Sequence, residues 1–231
     1  MNISHTTKQT RKEFAKFFLV LFIGYLYAIQ WPFYKFFPDT WWIIYPWFLG
    51  LIIIIYILKS IFISIKTWMK GDYGESYIKY ILDDLPEEFK HFSGLNLNNR
   101  GDIDEVVVGP TGIWTIEVKS HKGKIDFDGK KLLRNGELFE KDFIRQANGE
   151  FFAMQDFLKK TLGKKFFIQP VIVFSNPDAE INFGINKQEG VYVVSASWLN
   201  GLIEKTEVLK LDPKTIKEIT EKIEDFIKSK N

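Results

Sequence analysis

A mixed α/β domain behind a pair of membrane-spanning helices is the fold class this sequence predicts, on three observations. Apolar residues before position 60 fall in two runs of helical length, 14–31 and 41–58. After position 70 they recur instead in strand-length clusters between turn residues, and in amphipathic stretches of helical period. Charge divides at the same place. Residues 1–70 carry eight Lys and Arg against two Asp and Glu, and residues 71–231 carry 23 against 27. The net charge of +2 therefore averages a basic hydrophobic segment and a mildly acidic polar one.

The first run, Phe14 to Trp31, is apolar apart from Lys16 and Gln30 near its ends, where Lys16 can snorkel to an interface. At about 1.5 Å per residue its eighteen residues make about 27 Å, enough to span a bilayer with little tilt. The second run, Trp41 to Leu58, carries no charge. Trp31, Trp41, Trp42, Tyr45 and Trp47 gather around the intervening segment as an aromatic belt would. The first run is too long for a signal peptide, lacks a small-residue cleavage site near Ala28 and is followed at once by the second. Neither has an ionisable residue near its middle, which argues against a channel or transporter.

Lys8, Arg11, Lys12 and Lys16 precede the first run, Lys59, Lys66 and Lys70 follow the second, and the loop holding Lys35 and Asp39 is neutral. The positive-inside rule then places both termini in the cytoplasm. The expected organisation is a membrane anchor over 1–70 and a cytoplasmic domain over 71–231, in a multi-pass protein of the cell membrane. Partners in the lipid bilayer and a homo-oligomer formed through the two spans are expected. The chain has no cysteine, which excludes disulfides and thiolate metal sites and suits a reducing compartment.

Residues after 70 predict, in order, a helix over Glu75 to Leu85 closed by Asp83, Asp84 and Pro86, and a strand from Phe89 to Leu97. Ile103 to Val108 and Ile113 to Val118 form two strands around the break Gly109-Pro110-Thr111-Gly112. Short strands from Lys124 to Phe139 turn at Asp128-Gly129 and Asn135-Gly136. A long helix from Asp142 to Leu162 ends at Gly163, followed by strands over Phe166 to Phe174 and Val191 to Val194 and a short helix from Ser195 to Ile203. Asp212-Pro213 opens a last helix that buries Ile216, Ile219, Ile223 and Phe226. This order implies three layers with the sheet in the middle.

The chemistry concentrates in the central pair of strands. Glu117 and Lys119 are two apart, so they leave their strand on one face, and the reversal can bring Asp104 beside them. Two acids and one ammonium on a single face suit a divalent-metal site. Asp102 competes with Asp104 but lies further from the turn. A charged strand edge that discourages sheet-to-sheet pairing is the plainer alternative. His121 reads as an exposed turn residue, and His5 and His91 have no partners at metal-ligand spacing. Ser175 and Ser195 lack a nucleophile context, and no phosphate-binding G-x-x-x-x-G-K-(S/T) string occurs. The lysines at 122, 124, 130, 131, 159, 160, 164 and 165 offer a nucleic-acid path, although a solvated face explains them equally and the acidic balance favours that explanation.

Asp104 followed by Glu117-Val118-Lys119 resembles the D…(D/E)-x-K signature of the PD-(D/E)xK nuclease superfamily. The wider wording resembles the nuclease-related domain, NERD. Gly74-Glu75, then Ile103-Asp104-Glu105-Val106-Val107-Val108-Gly109-Pro110-Thr111-Gly112-Ile113, then Ile116-Glu117-Val118-Lys119, then Gly123-Lys124-Ile125 carry the likeness, over about residues 72 to 175. The resemblance implies a restriction-endonuclease-like three-layer core and hydrolysis of phosphodiester bonds, in DNA, with Mg²⁺ or Mn²⁺. Asp104, Glu117 and the Val118 carbonyl would bind the metal, Glu75 would reach it directly or through water, and Lys119 would orient the attacking water. Gln146 matches a position where related nucleases turn a polar residue toward the site. A membrane-tethered nucleic-acid-binding or signalling module, with the fold but without turnover, is the alternative function.

Overall fold

The computed structural model describes residues 41–98 and 101–230, and the chain divides into two compact units, Met1–Trp68 and Met69–Asn231. Helix α1 (Trp41–Asp83) is followed by β1 (Lys90–Asn98), β2 (Gly101–Gly109), β3 (Gly112–Lys119), β4 (Gly123–Phe127), β5 (Leu132–Arg134) and β6 (Glu137–Leu138). Then come α2 (Phe143–Leu162), β7 (Ile168–Phe174), β8 (Ala179–Ile181), β9 (Lys187–Gln188), β10 (Val191–Ser195), α3 (Ala196–Lys205) and α4 (Pro213–Lys230).

In the first unit, the expected span 14–31 lies outside the described residues. Among the described residues no helix is long and apolar enough to cross a membrane. In the part of the second expected span whose side chains are described, Leu51, Ile52, Ile54, Ile55 and Leu58 are each at least 50 % exposed, as is Phe62 just beyond it. Ser60 to Met69, whose sequence reads as an interfacial or helical connector, is helical within α1.

The second unit is built on a six-stranded mixed sheet in the order β1-β2-β3-β7-β10-β9. β1, β2 and β3 are antiparallel neighbours, β3–β7 and β7–β10 are parallel, and β9 runs antiparallel on the edge. β3 and β7 are central and covered on both faces, so they are nearly continuous apolar runs rather than alternating ones. One face packs Ile78 and Leu82 of α1 and Leu199 and Ile203 of α3 onto Trp114, Ile116, Val171 and Val173. The other packs Met154 and Leu158 of α2 and Ile219 and Ile223 of α4 onto Val106, Val108 and Ile113. The three layers are therefore helices, mixed sheet, helices.

A second, smaller sheet in the order β6-β5-β4-β8 stands beside α2, with Ile125, Phe143, Ile144, Ile172 and Phe174 in one apolar cluster. The turn at Asn135-Gly136 has positive φ at both residues (52° and 84°), the backbone that a two-residue hairpin loop requires. Two strands went unanticipated, β8 and β9, because each is only two or three residues long and pairs with a distant segment. Helix α2 begins where expected: Asp142 accepts a hydrogen bond from the Arg145 N–H at 3.0 Å, and Gly163 ends the helix at φ 68°.

The β2–β3 reversal depends on a close approach. A Cβ placed on Gly109 would sit 2.1 Å from the nearest atom of the buried Phe89 ring. Gly109→Ala is expected to displace that ring and lower stability by about 1–3 kcal/mol, read as a lower urea midpoint with an unchanged slope.

Candidate active site

The register of β2 and β3 aligns the two acids. Glu105 pairs with Ile116, so Asp104 and Glu117 are the next opposed residues and project to the same side. There the ladder ends, and the Val118 N–H donates to Asp104 Oδ2 at 2.7 Å instead of to a β2 carbonyl. The Lys119 carbonyl is taken by the Ser175 N–H at 2.9 Å on the β7 side. Backbone alternation along β3 therefore turns the Val118 carbonyl the other way, toward Asp104.

Helix α2 closes the site. Gln146 Nε2 donates to Glu117 Oε1 at 2.6 Å, and Lys119 Nζ donates to Gln146 Oε1 at 3.3 Å. Lys119 Nζ also forms an ion pair with Glu117 Oε1 and lies 4.4 Å from the centre of the Phe143 ring. Lys119, Glu117 and Gln146 thus form a closed triangle, and Glu117 is only 3 % exposed. The triangle occupies one oxygen of Glu117. The other, Oε2, is buried without a hydrogen-bond partner.

Glu75 enters from α1. A Cβ on the preceding Gly74 would lie 2.6 Å from Ser175 Oγ, so the helix meets the end of β7 through a residue that has no side chain. That approach brings the exposed Glu75 close enough for its charge to act on Asp104. Of the expected residues, Asp104, Glu117, Val118, Lys119 and Gln146 come together directly, with Glu75 at the margin.

One residue was missed. Glu150, one turn after Gln146 on α2, is buried, and neither of its carboxylate oxygens has a hydrogen-bond partner. The Glu117 carboxylate is close enough for its charge to act on it. Two ionised carboxylates in a desolvated site repel, which favours a proton on one of them. The signal was present in the sequence: Phe143, Ala147, Glu150, Met154 and Leu158 repeat at spacings of four, three, four and four along the buried stripe, and Glu150 is its one charge.

The electrostatics follow from crowding. Burial, then the Glu117 charge, pushes the Asp104 carboxyl well above the usual range, against the opposing effects of the Val118 N–H and Lys119. Burial and the same neighbour push Glu150 up further. One ammonium is too little for two buried acids and a half-buried third, and the imbalance calls for more positive charge or for protons.

The described residues contain no group of three His, Asp or Glu side chains that could hold a metal ion. The donor set nevertheless fits a hard divalent ion. It offers the carboxylates of Asp104 and Glu117 and one backbone carbonyl, with the buried Oε2 of Glu117 lacking a donor, and an ion that keeps several waters needs no more.

Two histidines differ from expectation. His121 is not an exposed turn residue: its ring lies 5.1 Å from Phe139 and 5.5 Å from Phe143, and burial, then Arg134 and Lys119, lowers its pKa to about 4. His91 has partners on the opposite face of the sheet. Its Nε2 is 2.9 Å from Asp83 Oδ1 and its Nδ1 3.4 Å from Oε2 of the buried Glu105. The hydrogen bond with Glu105 raises the His91 pKa above 6.5, with Asp83 adding to it against desolvation. This stabilisation is complete below the unfolded pKa and is lost as pH rises through the folded one. His91→Ala is therefore expected to cost about 1 kcal/mol more at pH 6 than at pH 9, measured by chemical denaturation at the two values.

Residues 70–175 match the family model described as NERD: Nuclease-related domain. The match contains Glu75, Asp104, Glu117, Lys119, Gln146 and Glu150, and runs from the end of α1 through β7. No curated protein and no solved structure matches the chain.

Proposed function

We propose that this chain, which carries a nuclease-related domain over residues 70–175, is a membrane-anchored, metal-dependent nuclease that hydrolyses phosphodiester bonds in DNA. The observation that carries the proposal is the opposed Asp104–Glu117 pair with Lys119 and Gln146 locked onto one Glu117 oxygen and the second oxygen left without a donor. A fold alone gains nothing from crowding Asp104 and the buried Glu117 and Glu150 around one lysine, because like charges in a desolvated space cost stability.

Asp104, Glu117 and the Val118 carbonyl would hold Mg²⁺ or Mn²⁺, with Glu75 reaching it directly or through water. The ion would supply charge for the phosphate and a lowered pKa for bound water. Lys119 Nζ, held by Glu117 and Gln146, would orient the attacking water and offset negative charge developing on the phosphate oxygens. Gln146 holds the ammonium and the carboxylate in register, so its role is positioning. The restriction-endonuclease-like reading of the core rests on the three layers and on this family match.

Membrane anchoring is supported by the exposed apolar side chains from Leu51 to Phe62 and by the basic residues flanking two apolar runs. Both termini then lie in the cytoplasm, and contacts between the spans would favour a homo-oligomer.

The test uses the full chain in detergent, with labelled duplex and single-stranded DNA and with Mg²⁺, Mn²⁺ or EDTA. Metal-requiring cleavage, abolished in Glu117→Gln, is the expected result. The mild acidity of residues 71–231 favours a second reading, a tethered binding or signalling module without turnover. Absence of cleavage by a folded chain on every substrate would establish that reading instead.

A further inference from the structure

We propose that His121, Arg134 and Phe139 form a subsite for the nucleotide next to the bond being cut, in which Arg134 and the His121 Nε2–H take its phosphate and Phe139 packs against its base. This rests on the nuclease reading above and names how that site takes hold of its substrate. Three separate stretches bring the residues together: His121 follows β3, Arg134 ends β5 and Phe139 follows β6. They stand in a row that leads away from Lys119. Lys119 Nζ lies 4.4 Å from the centre of the Phe143 ring, Phe143 lies 4.6 Å from Phe139, and the Arg134 guanidinium carbon lies 5.8 Å from Phe139. The His121 ring adjoins both phenyl rings, at 5.1 Å from Phe139 and 5.5 Å from Phe143.

His121 Nδ1 is buried and has no hydrogen-bond partner. An unbonded N–H there would be costly, so the ring proton belongs on Nε2. Burial, then the charges of Arg134 and Lys119, keep the ring neutral against the opposing Glu140. His121 is thus an uncharged donor beside two cations, which suits a phosphate oxygen. The fold gains nothing from it, since an apolar side chain would fill the same space without an unsatisfied nitrogen. The rim is not uniformly basic: Glu137 stands opposite Arg134 in the hairpin, and Glu140 follows Phe139. Charge alone therefore does not define the ligand. Arg134 is exposed and Phe139 half-buried, and a cation seated on an aromatic ring matches a unit that carries both an anion and a flat ring. A nucleotide within a DNA strand is such a unit, and one held beside Lys119 adjoins the phosphate being attacked.

The experiment uses the full chain in detergent with labelled duplex and single-stranded DNA. Binding is read by fluorescence anisotropy over a series of salt concentrations, with Ca²⁺ in the place of Mg²⁺, and cleavage by initial rates with Mg²⁺. Arg134→Gln is the decisive variant, because its side chain is exposed and the fold does not depend on it. It is expected to weaken binding about fivefold and to lower the magnitude of the salt slope by about 0.7–0.9, the loss of one phosphate contact. Its KM should rise with kcat nearly unchanged. Phe139→Leu is expected to weaken binding about tenfold with the salt slope kept. His121→Leu should weaken binding while its melting point equals or exceeds the wild type's, and His121→Gln, which restores a neutral donor, should recover the affinity. Unchanged affinity, salt slope and KM in Arg134→Gln would overturn this inference while leaving the nuclease reading standing. The expected losses of binding in a chain that cuts no DNA would uphold the subsite and overturn the nuclease reading. Absence of both binding and cleavage by the wild type would overturn both. Affinity lost only in step with the melting point would assign the cluster a packing role and overturn the inference as well.

Discussion

Lys119→Met is expected to reduce cleavage by about two to three orders of magnitude and, in the metal-free chain at pH 8, to cost about 3–5 kcal/mol. Both effects come from one atom. Among the described residues Lys119 Nζ is the ammonium paired with Glu117, and it is itself only 12 % exposed. Methionine keeps the length of the side chain and its contact with Phe143 while removing the charge, so packing loss does not explain the result. Without Nζ, Glu117 keeps the Gln146 hydrogen bond but loses its counter-charge in a desolvated site. The cost should shrink toward pH 5, where the raised Asp104 carries its proton and repels less. Combining Lys119→Met with Glu117→Gln should recover most of the lost stability and none of the activity. A double-mutant cycle on urea midpoints and initial cleavage rates measures the two separately.

Asp104→Asn is expected to move stability and activity in opposite directions. An amide oxygen can still accept from the Val118 N–H, so the strand geometry survives. The change removes one of three crowded carboxylates. A folded pKa raised from 3.8 to about 8 means that protonation stabilises the wild type fully only below the unfolded pKa, and that this contribution is lost progressively as pH rises to the folded one. The variant has no such loss, so the metal-free variant should be at least as stable as wild type at pH 8 and above, and cleavage should fall about a thousandfold. Thermal melting at pH 6 and pH 9 with a cleavage assay on the same preparations reads both. A residue whose removal stabilises the fold and abolishes the reaction is retained for the reaction.

Much of the domain was legible because local chemistry agreed with the tertiary outcome. Asp142 and Gly163 announce α2, Asn135-Gly136 announces a hairpin, and Gly109 to Gly112 announces the reversal that opposes Asp104 to Glu117. Period-two spacing along β3 put Glu117 and Lys119 on one face, and the structure joins them in an ion pair. What stayed hidden depends on partners far along the chain. The parallel pairing of β3 with β7 joins residues more than fifty positions apart, and β8 and β9 are too short to show a period of their own. His91 had no metal-ligand spacing to reveal it, since its partners Asp83 and Glu105 come from α1 and β2. Glu150 was concealed differently. A glutamate on a helix is usually solvated, and only the packing of α2 across the sheet turns this one inward. Its place in an otherwise apolar stripe was the available clue.

The most direct measurement is metal-dependent cleavage of labelled DNA by the full chain, beside Asp104→Asn prepared identically and shown to be folded. Products from the wild type with Mg²⁺ or Mn²⁺, none with EDTA and none from Asp104→Asn, are the predicted result. Equal cleavage by wild type and Asp104→Asn, or cleavage that persists in EDTA, would contradict a metal-dependent nuclease centred on Asp104 and Glu117.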